Sequence, residues 1–448
     1  MARKVYIKTL GCKVNSFDAQ ALETRFEKNG YHMAASPKEA DITVINTCSV
    51  TETATKEARY LLRRFRRENP ASLQVVTGCY AQIDSARLSQ MAEVDMVIPN
   101  ESKDRLVEFL DGSDQKIDPT TKMPQGLTPV VDNKQVHFKT ASVLFDQPAK
   151  TQTRTFFKVQ DGCNGFCTYC QIPYARGASR SVPKDAILSQ IKARLSSAPI
   201  GELVLTGIHL GDYGDDLTPA SSLVELLGEL IQLPELGRIR LSSLEPSEVT
   251  PPLIGLMAQH RERFCDHFHL PLQSGSDRIL KLMRRQYTKA RYMESVQMIR
   301  QAFPLVHISA DVIPGFPGET EEEFQETKLF IEECQMGSLH VFPYSQRPNT
   351  AALRLPGHLD ASVIKRRADE LRGLSRTLSD GYLRSFLGQT REVLWEEDRD
   401  SLGRRLGKTA NYIKVATSLE AEPGHRTLAL LRGFCGEGVL LGVPIEKV

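Results

Sequence analysis

The chain has 448 residues, 41% of them apolar and 25% charged, which allows packed cores and excludes wholesale disorder. That length suggests roughly three domains, and no run approaches the ~18 uninterrupted apolar residues of a membrane span. With 57 basic against 55 acidic residues the net charge is only +2, so any nucleic-acid site must be local rather than global.

Lys8 interrupts the one apolar run near the start, so no secretory signal is expected and the protein reads as soluble and cytoplasmic. In that compartment nine cysteines point to metal or chemistry rather than to a disulfide framework.

In chain order, Val5–Leu10 reads as a strand and Ser16–Lys28 as an amphipathic helix with Ala19, Leu22 and Phe26 on one face. Asp41–Asn46 is a second strand, Lys56–Glu68 a helix, Gln74–Val76 a third strand and Asp95–Ile98 a fourth. Strands alternating with helices argue for a parallel α/β sheet. Cys12, Cys48 and Cys79 each fall just past the carboxyl end of a different strand, the edge where such sheets carry their ligands. The three are therefore expected to meet.

Residues 112–150 are rich in Gly, Ser, Asp, Pro and Thr and read as a linker, with one strand-like run at Gln135–Phe138. Strand candidates then begin near Thr155, Glu202, Arg238, His267, His307 and Ser338, six βα units that suggest a partial barrel rather than the full eight. After a basic helix (Lys365, Arg366, Arg367, Arg372, Arg376), short β-rich runs at Glu392–Trp395, Tyr412–Val415, Thr427–Leu431 and Gly438–Val443 suggest a small antiparallel barrel. The expected domains are 1–115, 149–378 and 380–448.

The strongest chemical signal is Cys163, Cys167 and Cys170 in one loop after the first barrel strand. Three thiolates at this spacing suit three corners of a cubane iron–sulfur cluster and leave one iron open to a small-molecule chelator. A structural zinc loop would need a fourth Cys or His. Neither occurs from Gln171 through Ile208, so His209 would have to reach across.

The CxxxCxxC loop on a partial βα barrel resembles the radical S-adenosylmethionine enzymes. Cys170-Gln171-Ile172-Pro173-Tyr174-Ala175-Arg176-Gly177, Leu272-Gln273-Ser274-Gly275-Ser276 and Pro314-Gly315-Phe316-Pro317-Gly318-Glu319-Thr320 are similar to segments of the methylthiotransferases of that superfamily. So are Gly11-Cys12-Lys13-Val14-Asn15, Asn46-Thr47-Cys48-Ser49-Val50-Thr51 and Gly78-Cys79-Tyr80-Ala81-Gln82, and the likeness covers nearly the whole chain.

The resemblance implies two [4Fe-4S] clusters. One, on Cys163, Cys167 and Cys170, would bind S-adenosyl-L-methionine and cleave it to a 5′-deoxyadenosyl radical. The other, on Cys12, Cys48 and Cys79, would carry or deliver sulfur. It also implies a tRNA anticodon stem-loop as substrate, an electron donor, a sulfur source and a C-terminal RNA-binding TRAM domain, matched at Gly407–Val415. The GCKVN segment resembles the branch acting on N6-threonylcarbamoyladenosine. The isopentenyl-adenosine branch and a metal-stabilised RNA-binding protein without catalysis are the competing readings.

Strand ends of such a barrel carry cofactor and substrate contacts. The candidates are Thr206, Ser243, Glu245, Gln273 and Asp311, with Glu245 or Gln273 able to hydrogen-bond a ribose or methionine moiety and a solvated loop end as the plain alternative for each. Cys265, Cys334 and Cys435 are expected to pack, and Tyr344 to sit in the core or at the substrate mouth. For RNA, residues 150–195 hold Lys150, Arg154, Lys158, Arg176, Arg180, Lys184, Lys192 and Arg194 against Asp161 and Asp185, and a helix carries Arg63, Arg64, Arg66 and Arg67, with a solvated helix face as the usual explanation of such runs. Tyr412 is a candidate for base stacking, with barrel core as its plain alternative, and Arg176, Arg180 and Arg347 are candidate cations for a substrate carboxylate.

Overall fold

The computed structural model describes residues 2–111 and 153–447. The run expected at Gln135–Phe138 lies outside the described residues. The first sheet comprises β1 (Lys4–Thr9), β2 (His32–Met33), β3 (Ile42–Thr47), β4 (Leu73–Gly78) and β5 (Met96–Val97), all parallel in the order β2-β1-β3-β4-β5. Every residue of the central strand β3 is buried, as expected of a strand with both faces covered.

The helix Lys13–Lys28 packs Ala21, Leu22 and Phe26 on one face of the sheet, against Val5, Val44 and Val75. The helix Glu52–Glu68 packs Ala58, Leu61, Leu62 and Phe65 on the other, against Ile45 and Val76. Both helices begin three or four residues before the sequence pattern suggests. Cys12 occupies the N-cap position of the first, and the Thr51 hydroxyl caps the second by accepting from Ala54 N–H at 3.1 Å.

The chain then forms β6 (Arg154–Lys158) and a short antiparallel pair, β7 (Gln160–Asp161) with β8 (Arg180–Ser181), which brackets the cysteine loop. Five further strands follow: β9 (Ile200–Thr206), β10 (Leu236–Leu241), β11 (His267–His269), β12 (His307–Val312) and β13 (Ser338–Val341). β6-β9-β10 and β11-β12-β13 are parallel triplets, joined by single bridges between Ile239 and Phe264 and between Ser243 and His269. These are the six strands of the expected partial βα barrel.

The C-terminal strands β14 (Thr390–Arg399), β15 (Arg405–Thr409), β16 (Lys414–Thr417), β17 (Arg426–Gly436) and β18 (Val439–Lys447) close into a barrel in the order β14-β15-β16-β18-β17. The pairing is antiparallel except between β16 and β18, which run parallel. Trp395 fills its centre, fully buried, with Nε1–H donated to Thr427 Oγ1 at 2.7 Å.

The chain gathers into two compact units. One holds the N-terminal sheet together with Gln160–Val182 and Ser345–Leu353, so the cysteine loop belongs with it. The other holds β6, Pro183–Tyr344 and the chain from Arg354, and so contains both barrels. Within this second unit the two barrels are locked by charge. Glu202 accepts from Arg238 Nε and Arg240 Nε, each at 2.7 Å, and all three side chains are buried. The same arginines reach past Glu202 to the carbonyls of Lys408 and Ala410, at 2.9 and 3.0 Å. Burial alone would raise the Glu202 carboxyl, but the two guanidiniums hold it far below the usual carboxylate range.

Candidate functional site

In the first unit Cys12, Cys48 and Cys79 follow β1, β3 and β4, and two glycines let them converge. Gly11 has φ +99°, and a Cβ there would lie 2.6 Å from Cys48 Cβ and 2.7 Å from its Sγ. Gly78 has φ +95°, and a Cβ there would lie 2.4 Å from the Thr47 carbonyl. Only glycine fits either position. Asn15 ties the strand ends together, donating to the carbonyls of Leu10 and Thr47 at 2.8 and 2.9 Å. Burial, with Cys79 beside it, pushes the Cys48 thiol up to about 12, and burial also raises Cys79 against the pull of Arg176. Such protonated, enclosed thiols are poor nucleophiles and become ligands by losing protons to a metal.

The loop Cys163–Cys170 sits in the same unit. Backbone N–H groups point at sulfur in both triplets: Gly165 to Cys163 at 3.3 Å, Ile172 to Cys170 at 3.4 Å and Val50 to Cys48 at 3.4 Å. Donors of this kind stabilise ligating thiolates and tune a cluster's potential.

Between the two cysteine segments lies a buried ionic knot. Arg176 donates from Nη1 to both oxygens of Asp161 at 2.9 Å, and from Nη2 to Asp18 at 3.1 Å and Asn15 Oδ1 at 2.6 Å. Lys103, also buried, donates to the same Asp18 oxygen at 3.0 Å. Two cations thus balance two carboxylates, and the cysteine sulfurs stand beside this neutral set. Around them the Ser49 hydroxyl, Gln82 Nε2 and Arg176 Nε are buried without a hydrogen-bond partner in the protein. Unmet donors beside two enclosed thiols, Cys48 and Cys79, and the exposed Cys12 fit an anionic metal–sulfur group.

The arrangement corrects three sequence expectations. Arg176 is spent in the knot, and Arg347 is buried, donating to the Ser49 carbonyl and to Gln171 Oε1 at 3.2 Å. Arg180 turns to the carbonyls of Arg176 and Ala178, both at 2.8 Å, so none of the three is an uncommitted pocket cation. Among the described residues of the basic stretch 150–195, Lys158, Arg176 and Arg194 are buried and Arg154 pairs with Glu396 at 2.5 Å, so these four do not form a surface patch. Tyr412 packs on the floor of the βα barrel, 4.5 Å from the His267 ring and 4.7 Å under the Arg240 guanidinium, rather than offering a stacking face.

The second unit places the other candidates at the strand ends of the βα barrel. Thr206 ends β9, buried, its carbonyl accepting from Val159 at 2.9 Å. Ser243 bridges to His269, and Gln273, at φ +65°, bridges to Val312 and donates its N–H to the Asp311 carbonyl at 2.8 Å. Gln273 and Asp311 are therefore near neighbours, and Ser243 lies beside His269. Glu245 is paired with Arg285, and burial pushes its carboxyl up in spite of that guanidinium.

Cys265 and Cys334 are buried packing residues, with Cys435 half-buried, and Tyr344 lies in the core, 5.5 Å from the Phe316 ring. The His209 ring faces Asp212 at 3.2 Å and also Glu248. Sequence reasoning missed Asp18, Lys103, His269 and His340. The alternation His267-Phe268-His269, which puts both imidazoles on one face of a strand, is the signal that could have found one of them.

Comparison with known proteins completes the picture. Residues 4–99 match the model of the Uncharacterized protein family UPF0004, and residues 157–331 that of the Radical SAM superfamily. The chain is 37% identical to the Threonylcarbamoyladenosine tRNA methylthiotransferase MtaB of Bacillus subtilis, over 92% of this chain and 89% of the relative. It is also 37% identical to the MtaB of Aquifex aeolicus, over 96% and 100%. A tRNA-2-methylthio-N(6)-dimethylallyladenosine synthase of Bartonella tribocorum is 33% identical over 97% and 96%. Among solved structures, a radical S-adenosylmethionine methyltransferase, TsrM, from Kitasatospora setae superposes with TM-score 0.53 at 13% identity, over 79% of this chain and 77% of that one, a likeness of fold. With two cysteine triplets in place and relatives this similar along almost their whole length, the chain belongs to the MtaB-like family of radical SAM methylthiotransferases.

Proposed function

We propose that the protein inserts sulfur and a methyl group at carbon 2 of N6-threonylcarbamoyladenosine beside the tRNA anticodon, using one cubane cluster on each cysteine triplet. The family supplies a [4Fe-4S] cluster, S-adenosylmethionine and a tRNA substrate. The second cluster, its role in sulfur delivery, a dedicated electron donor and sulfur source, and work in the cytoplasm belong to this proposal. Among the described residues no helix is long and apolar enough to cross a membrane.

The observation that carries the two-cluster reading is the convergence of Cys12, Cys48 and Cys79 across Gly11 and Gly78 in the unit that also holds Cys163–Cys170. Hydrogen abstraction from an unactivated aromatic carbon is chemistry that the bound cluster and S-adenosylmethionine supply. The chain's own residues hold and shield. Cys163, Cys167 and Cys170 ligate, leaving a site for the cofactor's chelating groups. Thr206, Ser243, Glu245, Gln273 and Asp311 offer polar contacts at the barrel's strand ends, and the Arg176–Asp18–Asp161–Lys103 knot stands beside the buried Cys48 and Cys79 and the exposed Cys12.

The isopentenyl-adenosine alternative stands on the 33%-identical relatives named for dimethylallyladenosine. Mass spectrometry of tRNA nucleosides from a deletion strain decides between them. Loss of 2-methylthio-N6-threonylcarbamoyladenosine is expected, and loss of the methylthiolated isopentenyl nucleoside instead would transfer the chain to the other branch.

A further inference from the structure

Strands β11, β12 and β13 alternate. Phe268, Ile308, Ala310 and Val312 are buried on one side, while His269, Ser309, Asp311 and His340 share the other. The parallel register sets Ser309 beside His269 and Asp311 beside His340. Three side chains from three adjacent strands meet there. His269 Nε2 lies 3.1 Å and His340 Nδ1 3.2 Å from the same oxygen, Asp311 Oδ1, and the two rings are 5.1 Å apart. His269 is fixed from behind, its Nδ1 2.9 Å from Ser309 Oγ. Asp311 is a strand-end candidate from sequence, but neither imidazole has a role in the chemistry assigned above.

The two imidazoles are not equivalent. His269 has both ring nitrogens engaged and an 11% exposed side chain, whereas His340 is 58% exposed and its Nε2 meets no partner among the described residues. Asp311 therefore orients His340 and leaves one of its ring nitrogens facing outward. Burial opposes ionisation of Asp311, but the hydrogen bonds from His269 and His340 hold its carboxyl well below the usual range, so it stays an anion and an acceptor. With a proton on both nitrogens of His340 the His340–Asp311 pair is neutral, and Nε2–H is a charge-assisted donor for a second carboxylate. Gln273 adjoins: its Oε1 is buried with no partner, an unmet acceptor for a hydroxyl or N–H.

The geometry points to His340, braced by Asp311 and His269, as the residue that binds the carboxylate of the threonylcarbamoyl group and so sets the preference for that adenosine. This rests on the substrate reading given under Proposed function. The arm of that nucleoside carries a carboxylate, a hydroxyl and N–H groups, matching one outward donor and one unmet acceptor. An isopentenyl arm would leave the buried Gln273 Oε1 unmet and forgo the charge-assisted bond to His340, which is how a polar site rejects an apolar analogue. Of the cations expected from sequence, Arg176 and Arg347 are buried in other contacts and Arg180 donates to backbone carbonyls. His340 is the binding residue, and Asp311 and His269 are positioning residues.

The test measures affinity of the full-length holoenzyme for anticodon stem-loops that differ at one nucleoside: threonylcarbamoyladenosine, its methyl ester, or isopentenyladenosine. The wild type should bind the free acid about ten- to a hundredfold more tightly than either other loop. His340→Ala should bring that ratio close to one, and His340→Gln, which keeps an amide donor, should restore part of it. If the wild type prefers the free acid and His340→Ala prefers it equally, this inference is overturned while the substrate reading stands. A wild type with no preference for the free acid over isopentenyladenosine overturns both. The three ligand atoms also lie within 4.8 Å of one another, a spacing a divalent cation could span. Stoichiometric Mn²⁺ binding to the holoenzyme that disappears in both His340→Ala and Asp311→Asn would replace carboxylate recognition with a cation site.

Discussion

At Gly11 a Cβ would lie 2.7 Å from Cys48 Sγ, an overlap, in a backbone conformation that already excludes most residues. Gly11→Ala should cost about 1–3 kcal/mol, the sum of positive-φ strain and a forced shift of Cys48. The functional consequence is sharper. If the N-terminal triplet holds a cluster, the variant should reconstitute with roughly half the wild-type iron, about four atoms rather than eight, and still form 5′-deoxyadenosine. Full iron content in Gly11→Ala would mean that Cys48 does not need its observed place. The three cysteines were legible in the sequence because each follows a β-rich run, and the topology of parallel sheets does the rest. The knot around Arg176 was not legible. Its partner Asp18 lies 158 residues away in sequence, and a buried arginine has the same one-dimensional signature as a solvated one.

Among the elements, β15 was missed and β11 was found by position alone. β15 reads Arg-Leu-Gly-Lys-Thr, with no apolar alternation, because its place is fixed by neighbours β14 and β16 and not by its own hydrophobic face. β11 and β12 begin at His267 and His307, whose rings stack at 5.4 Å on the floor of the βα barrel, with Tyr412 and Tyr382 against them. Burial, helped by the charge of Arg240, lowers His307 to about 4. A folded value below the ordinary one means that neutral His307 contributes its stability above about pH 6.5, and that this is lost as pH falls from there toward 4. The loss from this residue between pH 7 and pH 5 is about 2 kcal/mol. Thermal melts of His307→Phe should therefore be flatter than wild type across that interval, and equal acid slopes would remove His307 as a source. The helix Glu52–Glu68 presents Lys56, Tyr60, Arg63, Arg64 and Arg67 to solvent, an exposed basic face that the buried Lys158, Arg176 and Arg194 do not provide. Reversing Arg63 and Arg67 to Glu should weaken tRNA binding for every sequence alike. It should also lower the slope of log affinity against log salt by about one per lost phosphate contact. An unchanged slope would place the RNA on another surface.

For the molecule as a whole, the cysteine loop folds as part of the N-terminal sheet's unit, although in sequence it follows the first strand of the βα barrel. A sequence reading cuts the chain into consecutive domains, whereas the hydrogen bonds of Arg176 and Arg347 sew Gln160–Val182 and Ser345–Leu353 onto residues near the start. The division of labour between the triplets is nevertheless testable, because each ligand set can be removed without touching the other. Replacing Cys12, Cys48 and Cys79 together by Ala should halve the iron of anaerobically reconstituted protein. That variant should abolish methylthiolation and leave 5′-deoxyadenosine formation in place, since the compact loop that chelates S-adenosylmethionine is intact. Replacing Cys163, Cys167 and Cys170 should halve the iron as well but end cofactor cleavage, so equal iron loss with unequal chemistry is the signature to look for. The N-terminal triple variant also uncovers Arg176 and Lys103, whose charges are matched by Asp18 and Asp161 alone, so the fold should survive and the comparison should report on chemistry. Methylthiolated tRNA produced at the normal rate by that variant would show that sulfur does not pass through the first domain.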